Sequence, residues 1–585
     1  VQRSGCVRDH WSGLRWLGGV IASEKPASSP PTATARLTGR ELGVALGLFA
    51  IWLAVVVVGT VRHEYWRDEI RAYSFARDSH SLGALLERLK DEGHPMLWHL
   101  LLYAGDGLVG SSRLVLPVAS LAVAAAAVAL VLFRSPLPLW LKALFVLGGL
   151  PLYEYSVMAR NYGISMLLMF GFAAVYPGRA RWPGAVALAL ILAALANTNV
   201  HSVVLAVLLL ALWLWDDLGT PGKPVTARAL LGMSVAAVAL GLATLGAFAT
   251  MWPSDQILPS DPSLYTAARM VRAMARAVRH PARQFGAIVP PLPLALLRDA
   301  VFIWATLALL ARPALLVLAW AALLSLSVLF EVVYPGSLRH EGLYLVFLVT
   351  LTWMRLDQER SRPGRRSLSR WGSVRAFGGL AVLLATAFLA GDRRLVQDLA
   401  YPESASRAFG EFLRDHRLYA GAILVGEPDF YLESLPYYAD NPIYVPRERR
   451  FGDTVHFTRA SRSGLGLGEL LNVALDLQAR ERRTVLIVLG HLSELDATRA
   501  GDLPPRQPPV ADSAAGSTQH DLHYGYDRTF SWSATDLALW RSRTIEVARF
   551  DDHIVGDERY AVYTVTSPPP TSPPSPSAAL RSSSN

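Results

Sequence analysis

Apolar residues in this chain come in long blocks separated by short polar breaks. Runs near membrane-span length fall at about 42–61, 95–111, 114–133, 139–157, 161–176, 184–199, 201–215, 229–250, 299–311, 314–333, 342–356 and 376–391. A full crossing needs roughly 20 apolar residues, with about 17 as a lower limit. The pattern therefore predicts a polytopic α-helical membrane region over 42–391. Arg40 before the first run and the stretch Arg355 to Arg375, with seven Arg against two acids, belong on the cytoplasmic side. The last run then carries 392–585 outward, which requires an odd number of crossings. About eleven is the expectation, with one of the shorter runs, 95–111 or 299–311, not crossing.

Two outer loops interrupt the spans. In 62–94, Leu82, Leu85, Leu86 and Leu89 recur at helical spacing opposite Glu87, Arg88, Lys90 and Asp91, an amphipathic helix suited to the membrane interface. In 252–298, Arg269, Arg272, Arg276, Arg279 and Arg283 fall at steps of three and four, on one helical face. Lipid headgroups or a lipid-linked phosphate would suit that face. Residues 1–41 are polar and read as a disordered cytoplasmic tail.

The texture changes after 391. Helical stretches at Ser404–Asp415 and Glu469–Arg480 alternate with short apolar strands at Ala422–Val425, Pro442–Val445 and Thr484–Leu489. Glu546–Phe550 and Tyr560–Val565 read as closing strands. Such alternation predicts a small parallel α/β domain over 392–566, outside the membrane, before a Pro/Ser-rich disordered tail at 567–585. Gly464-Leu465-Gly466-Leu467-Gly468 follows a polar loop rather than a strand, so the dinucleotide fingerprint fails. The domain reads as a docking or covering module.

Composition agrees with the blocks. Of 585 residues 52% are hydrophobic and only 18% charged, against about 25% charged in ordinary globular proteins. The net charge of +9 is carried by Arg, since four of the 56 basic residues are Lys. That bias fits a GC-rich bacterial genome, and the clustering of Arg beside spans argues against nucleic acid as a partner. Cys6 is alone, which excludes a disulfide framework and a thiolate metal site.

Candidate chemistry concentrates in the first outer loop, His63-Glu64-Tyr65-Trp66-Arg67-Asp68-Glu69-Ile70-Arg71. Adjacent residues on a helix diverge by about 100°, so Asp68 and Glu69 cannot face one reacting atom equally. One is free to act while the other pairs with Arg71 or Arg67. A solvated face with local ion pairs is the plainer reading of the same residues. His94-Pro95 opens the second run, Arg113 to Pro117 the third, Arg160-Asn161-Tyr162 sits between two runs, and Arg339-His340-Glu341 follows Tyr334-Pro335-Gly336. Ionisable groups near membrane depth are costly and point to function, although Arg at a span end also snorkels to headgroups.

Taken in order, a span, Trp-Arg-Asp-Glu, an outer amphipathic helix, His-Pro, Arg-Leu-x-x-Pro, and Tyr153-x-Tyr155 leading to Ala159-Arg160-Asn161-Tyr162 resemble the GT-C superfamily of membrane glycosyltransferases. The likeness is to the branch of protein O-mannosyltransferases and the lipid A aminoarabinose transferase, and it is carried by residues 42–180. The resemblance implies a GT-C-like catalytic module in a bacterial inner membrane, with Asp68 and Glu69 as the catalytic acids of the first loop. It implies substrate contacts from His94 and Arg160; Tyr162 beside Arg160, and Arg339 and His340 outside the stretch that carries the likeness, join them as candidate substrate contacts, since a leaving lipid phosphate needs cationic partners. The implied donor is a sugar on a polyprenyl phosphate, the acceptor a hydroxyl on a glycan, lipid or protein, and the stereochemical course inversion. No Asp or Glu lies between Arg160 and Asp216, so the second acid often found after that Arg is missing. The visible acids specify no metal site, and a divalent cation stays open as a cofactor. A glycan polymerase or ligase of the O-antigen type, a lipid-linked glycan transporter and a non-catalytic scaffold are the rival readings.

Overall fold

The computed structural model describes residues 37–110, 112–219, 225–251, 266–289, 291–360, 370–490, 520–524 and 528–566. The tails expected at 1–41 and 567–585 fall almost wholly outside the described residues. From the N-terminus the helices are α1 Gly39–Arg62, α2 Arg67–Arg77, α3 Leu82–Arg88, α4 Leu97–Val109, α5 Val115–Arg134 and α6 Leu139–Val146. They continue with α7 Tyr162–Val175, α8 Trp182–Ala196, α9 Val200–Leu218, α10 Ala227–Met251, α11 Ala267–Arg279 and α12 Ala295–Leu307. Next come α13 Pro313–Val332, α14 Leu338–Arg360 and α15 Arg370–Ala400.

This is a helical membrane protein with several apolar spans. Among the described residues α1, α5, α9, α10 and α13 are long and apolar enough to cross a bilayer. Their outward faces carry apolar groups, such as Val238, Leu242 and Leu245 of α10 at 60%, 65% and 68% exposure. A helix with that surface is stable only against lipid or another chain. The expected eleven spans are not matched by helix length and composition, because α4, α6, α7, α8 and α12 have 13, 8, 14, 15 and 13 residues. At 1.5 Å per residue these are shorter than a hydrocarbon core of about 30 Å.

The run at 139–157 is not one continuous α-helix. Helix α6 stops at Val146, and a π-helical turn follows at Leu150–Glu154. Gly149 there meets Gly391 of α15 so closely that a Cβ on Gly149 would lie 2.0 Å from the Gly391 Cα. Only two glycines permit that contact. The expected interfacial helix, α3, also differs in what covers it. Leu85 and Leu89 are fully buried and pack with Phe75, Met96 and Leu100, so protein rather than lipid covers much of its apolar stripe.

After α15 the chain forms an α/β unit. Helix α16 Ser406–Asp415 precedes strands β1 Ile423–Glu427, β2 Ile443–Val445, β3 Arg450–Phe451 and β4 Gly464–Gly466. Helix α17 Leu467–Glu481 follows, then β5 Val485–Leu489, β6 His520–Tyr524, β7 Arg528–Trp532, α18 Ala534–Arg543, β8 Thr544–Phe550 and β9 Tyr560–Val565. The main sheet has the order β3-β2-β1-β5-β9-β8, and β4-β7-β6 form a second sheet. Strands β2, β1 and β5 are parallel as expected, but β3, β9 and β8 are antiparallel additions, so the sheet is mixed. Alternate residues face opposite ways: Ile423, Val425, Val485 and Ile487 pack with Leu470 and Ala474 of α17, while Leu424, Leu486 and Val488 pack with Phe409 of α16. Burial on both faces explains the unbroken apolar runs of these strands. The Gly464 run proves to be strand β4, entering α17 directly.

The α/β unit is seated on α2. Arg67 grips Asp557 through Nη1 at 2.7 Å and Nη2 at 2.9 Å, and its backbone N–H donates to Glu558 at 2.8 Å. Arg77 reaches Asp453 at 2.8 Å, Arg407 donates to the His63 carbonyl at 2.7 Å, and the Tyr438 hydroxyl to the Tyr65 carbonyl at 3.1 Å.

Candidate active site

Helix α2 begins with two acids in its first turn, where the helix dipole favours them. Their divergence has the consequence expected of neighbouring helical residues. Asp68 lines a cavity of about 620 Å³, whereas Glu69 lies outside it, fully buried. The Glu69 carboxylate accepts from the Ala159 N–H at 2.6 Å and faces His63 Nε2 at 3.0 Å. His63 Nδ1 sits 2.8 Å from Asp398. Burial alone would push the His63 imidazole down, but Glu69 and Asp398 outweigh it and raise it to about 10. His63 is therefore an imidazolium, and Glu69 pairs with it rather than with Arg67 or Arg71.

The cavity lies where the ends of α9, α13 and α14 meet α2, the turn before α4 and the α/β unit. Asp68, His94, Arg160, Tyr162, Arg339 and His340, the other residues singled out in the sequence, all line it. Arg160 projects from the segment fixed by the Glu69–Ala159 bond, and its Nη1 donates to Asp68 Oδ2. The Asp68 side chain keeps 37% exposure, against 7% for Glu92 and 4% for Glu433, the other acids on the wall. Burial pushes the Asp68 carboxyl up, but the guanidiniums of Arg160, Arg67 and Arg339 prevail and hold it below the usual carboxylate range. It is a carboxylate at neutral pH, open to a ligand.

Aromatic and imidazole rings complete this side. The Arg160 guanidinium stands 6.0 Å from the Tyr162 ring, which meets His340 edge-on at 5.3 Å, and His340 lies 5.1 Å from His201. The Arg339 guanidinium is 5.7 Å from the Trp66 ring. Three buried donors or ring nitrogens on this lining, Trp66 Nε1, His201 Nδ1 and Arg339 Nη1, have no hydrogen-bond partner.

Several lining residues, Glu92, Glu433, Phe430 and Phe457 among them, carried no sequence signal. Arg71 bridges Glu92 and Glu433, each at 2.5 Å, and Glu433 is 362 positions away along the chain. Burial raises the Glu92 carboxyl, but Arg71 overrides it and brings it to about 2. For Glu433 burial prevails over Arg71, and the carboxyl is pushed up to about 7. Phe430 and Phe457 of the α/β unit also line the cavity. His201 was findable, being an ionisable residue at the start of an apolar run. The Arg face of α11 does not reach the cavity. Arg276 pairs with Glu331 at 2.5 Å and Arg269 with the Glu331 carbonyl at 3.3 Å, which pins α11 to the end of α13. Among the described residues no group of three His, Cys, Asp or Glu side chains is arranged to hold a metal ion.

No protein-family model and no curated protein matches the chain. Among solved structures it is similar to ArnT from Cupriavidus metallidurans in the apo state, with a TM-score of 0.43 and 13% identity over 89% of this chain and 98% of that one. The same protein bound to undecaprenyl phosphate gives a TM-score of 0.41 and 12% identity over 90% and 97%. The likeness runs along nearly the whole chain and assigns no residues.

Proposed function

We propose that this chain is a GT-C-type integral membrane glycosyltransferase of the bacterial inner membrane, moving a sugar from a polyprenyl-phosphate donor to an acceptor hydroxyl on the outer face. One observation carries the reading. A single cavity combines an accessible carboxylate, Asp68, with the guanidiniums of Arg160 and Arg339, beside Arg67 and Arg71 in their ion pairs, and with an apolar wall of Val200, Leu329 and Val333 from the helices expected in the membrane. A prenyl phosphate needs that combination: cations for the phosphate, apolar helix ends for the chain, and no nucleotide pocket.

The chemistry is a single displacement. The acceptor oxygen attacks the anomeric carbon while its proton passes to Asp68. The bond from that carbon to the phosphate oxygen breaks, and polyprenyl phosphate leaves with a charge that Arg160 and Arg339 stabilise. Inversion follows. The Asp68–Arg160 pair gives the step its order. While Arg160 holds Asp68, the carboxylate is a weak base; a donor phosphate that recruits Arg160 releases it. Glu69 and His63 act as positioning residues, holding the segment that carries Arg160. His94, Tyr162 and His340 line the sugar's surroundings.

The test uses the full chain in liposomes with undecaprenyl-phosphate-linked sugars and an envelope extract as acceptor, following free undecaprenyl phosphate. Undecaprenyl phosphate, the ligand in one of the structures above, is the first donor lipid to try. A positioned general base contributes about 10²–10⁴-fold, so Asp68→Asn should lose at least a hundredfold. Equal turnover by wild type and Asp68→Asn would remove the mechanism. A folded wild type inert with every donor would remove the transferase reading.

A further inference from the structure

The wall of the cavity farthest in sequence from Asp68 comes from the α/β unit, and it is aromatic. Phe430 and Phe457, both half-buried, line the cavity with ring centroids 6.1 Å apart at 52° to one another. Trp66, also half-buried, lines the same cavity, and its Nε1–H has no partner.

Cations and a buried ion pair hold these rings in place. The Arg67 guanidinium stands 5.0 Å from the Trp66 ring and 5.4 Å from Phe430. Arg528, in a buried pair with Asp429 at 3.0 Å, stands 5.0 Å from Phe457. Glu433 takes the Val455 N–H at 2.6 Å, fixing the loop that presents Phe457, and takes Arg71 at 2.5 Å, tying that loop to α2. Aromatic side chains anchored in this way, on a lining shared with Asp68, make a candidate subsite. A pyranose or furanose ring fits its chemistry, since the apolar C–H face of a sugar packs on an aromatic face while a hydroxyl accepts from the indole N–H.

We infer that Trp66, Phe430 and Phe457 form a saccharide subsite for the acceptor, so that the α/β unit supplies acceptor specificity. That the occupant is the acceptor rests on the transferase reading; that it is a sugar ring does not. The prenyl phosphate is drawn to the cations Arg160 and Arg339 and to the apolar residues Val200, Leu329 and Val333 of the same cavity. A sugar ring on Trp66, Phe430 and Phe457 is then the one that receives.

Saturation-transfer NMR on the full chain in nanodiscs, with methyl glycosides of hexoses, N-acetylhexosamines and pentoses, tests this without turnover. Wild type should saturate the ring protons of at least one glycoside. Phe457→Leu and Phe430→Leu should lower that signal at least fivefold, Phe457→Trp should restore it, and Arg160→Gln, whose contacts are to Asp68 and Tyr162 rather than to these rings, should lower it less than twofold. Thermal midpoints and elution volumes identify any variant that has not folded, and the Leu and Trp pair at Phe457 keeps a folded comparison. No saturation by any glycoside, or equal saturation in both Leu variants, overturns the subsite. A fivefold loss in Arg160→Gln as well assigns the sugar to the donor and overturns the acceptor assignment. Undecaprenyl phosphate binding, followed in parallel by native mass spectrometry, should weaken in Arg160→Gln and not in Phe457→Leu. Failure of wild type to bind it sinks the transferase reading while leaving the glycoside result decisive for the subsite.

Discussion

Replacing Glu69 with Gln separates a positioning carboxylate from a catalytic one. Glu69, His63 and Asp398 form a charged set with side-chain exposures of 0%, 0% and 2%. His63, raised to about 10, is an imidazolium with two N–H donors, one for each carboxylate. Glu69 takes one of them at 3.0 Å and the Ala159 N–H at 2.6 Å. A Gln amide offers one oxygen and an NH2 group, so one of those two donors must face another donor. Breaking a buried ion pair costs about 3–5 kcal/mol. With part of its bonding retained, which includes a longer bond from the Trp66 N–H at 3.4 Å, the loss for Gln should be nearer ~2–3 kcal/mol. At roughly 2–4 °C per kcal/mol for medium-sized domains, the apparent thermal midpoint at a fixed scan rate should fall by at least about 4 °C. Ala159 precedes Arg160, so displacement there should reduce kcat/KM by about 10–100-fold. The acid limb of the pH profile should persist, because Asp68 is untouched. An unchanged midpoint with at least a thousandfold loss and no acid limb would refute the reasoning and make Glu69 the base.

Further outcomes follow from the same geometry. Arg160→Gln removes the leading cation holding Asp68 below the usual carboxylate range against burial, so the acid limb of kcat/KM should move to higher pH. Its kcat/KM should fall about 10²–10³-fold through loss of phosphate stabilisation, and an unmoved limb would mean that Asp68 is not the titrating base. The His63 value of about 10 lies above the ordinary 6.5, so its contribution to stability is full below pH 6.5 and is lost as pH rises through 10. Thermal scans of wild type should therefore decline more steeply between pH 7 and 10 than those of His63→Gln; parallel declines would argue against the buried imidazolium. Gly149→Ala places a Cβ 2.0 Å from the Gly391 Cα and should cost about 1–3 kcal/mol through forced separation of α15 from the π-helical turn. A wild-type midpoint in that variant would refute the contact.

Much of the architecture was written locally. Apolar runs set the helices to within a few residues, as with 114–133 against Val115–Arg134, because burial of a helical face needs only nearby residues. Both-face burial made Val485–Leu489 an unbroken apolar strand. Helical geometry also required Asp68 and Glu69 to diverge. Sequence spacing could not say which of them would turn inward, since that depended on His63 and Asp398, and Asp398 lies 335 positions from His63. Nor could it foresee that the run at 139–157 would break where Gly149 meets Gly391, that α11 would commit Arg276 to Glu331, or that Phe430 and Phe457 would close a cavity opened by α2. Local periodicity fixes the face a residue occupies on its own element. The partner on that face is chosen by tertiary packing, where charge pairing and close contact act between segments that the chain keeps far apart.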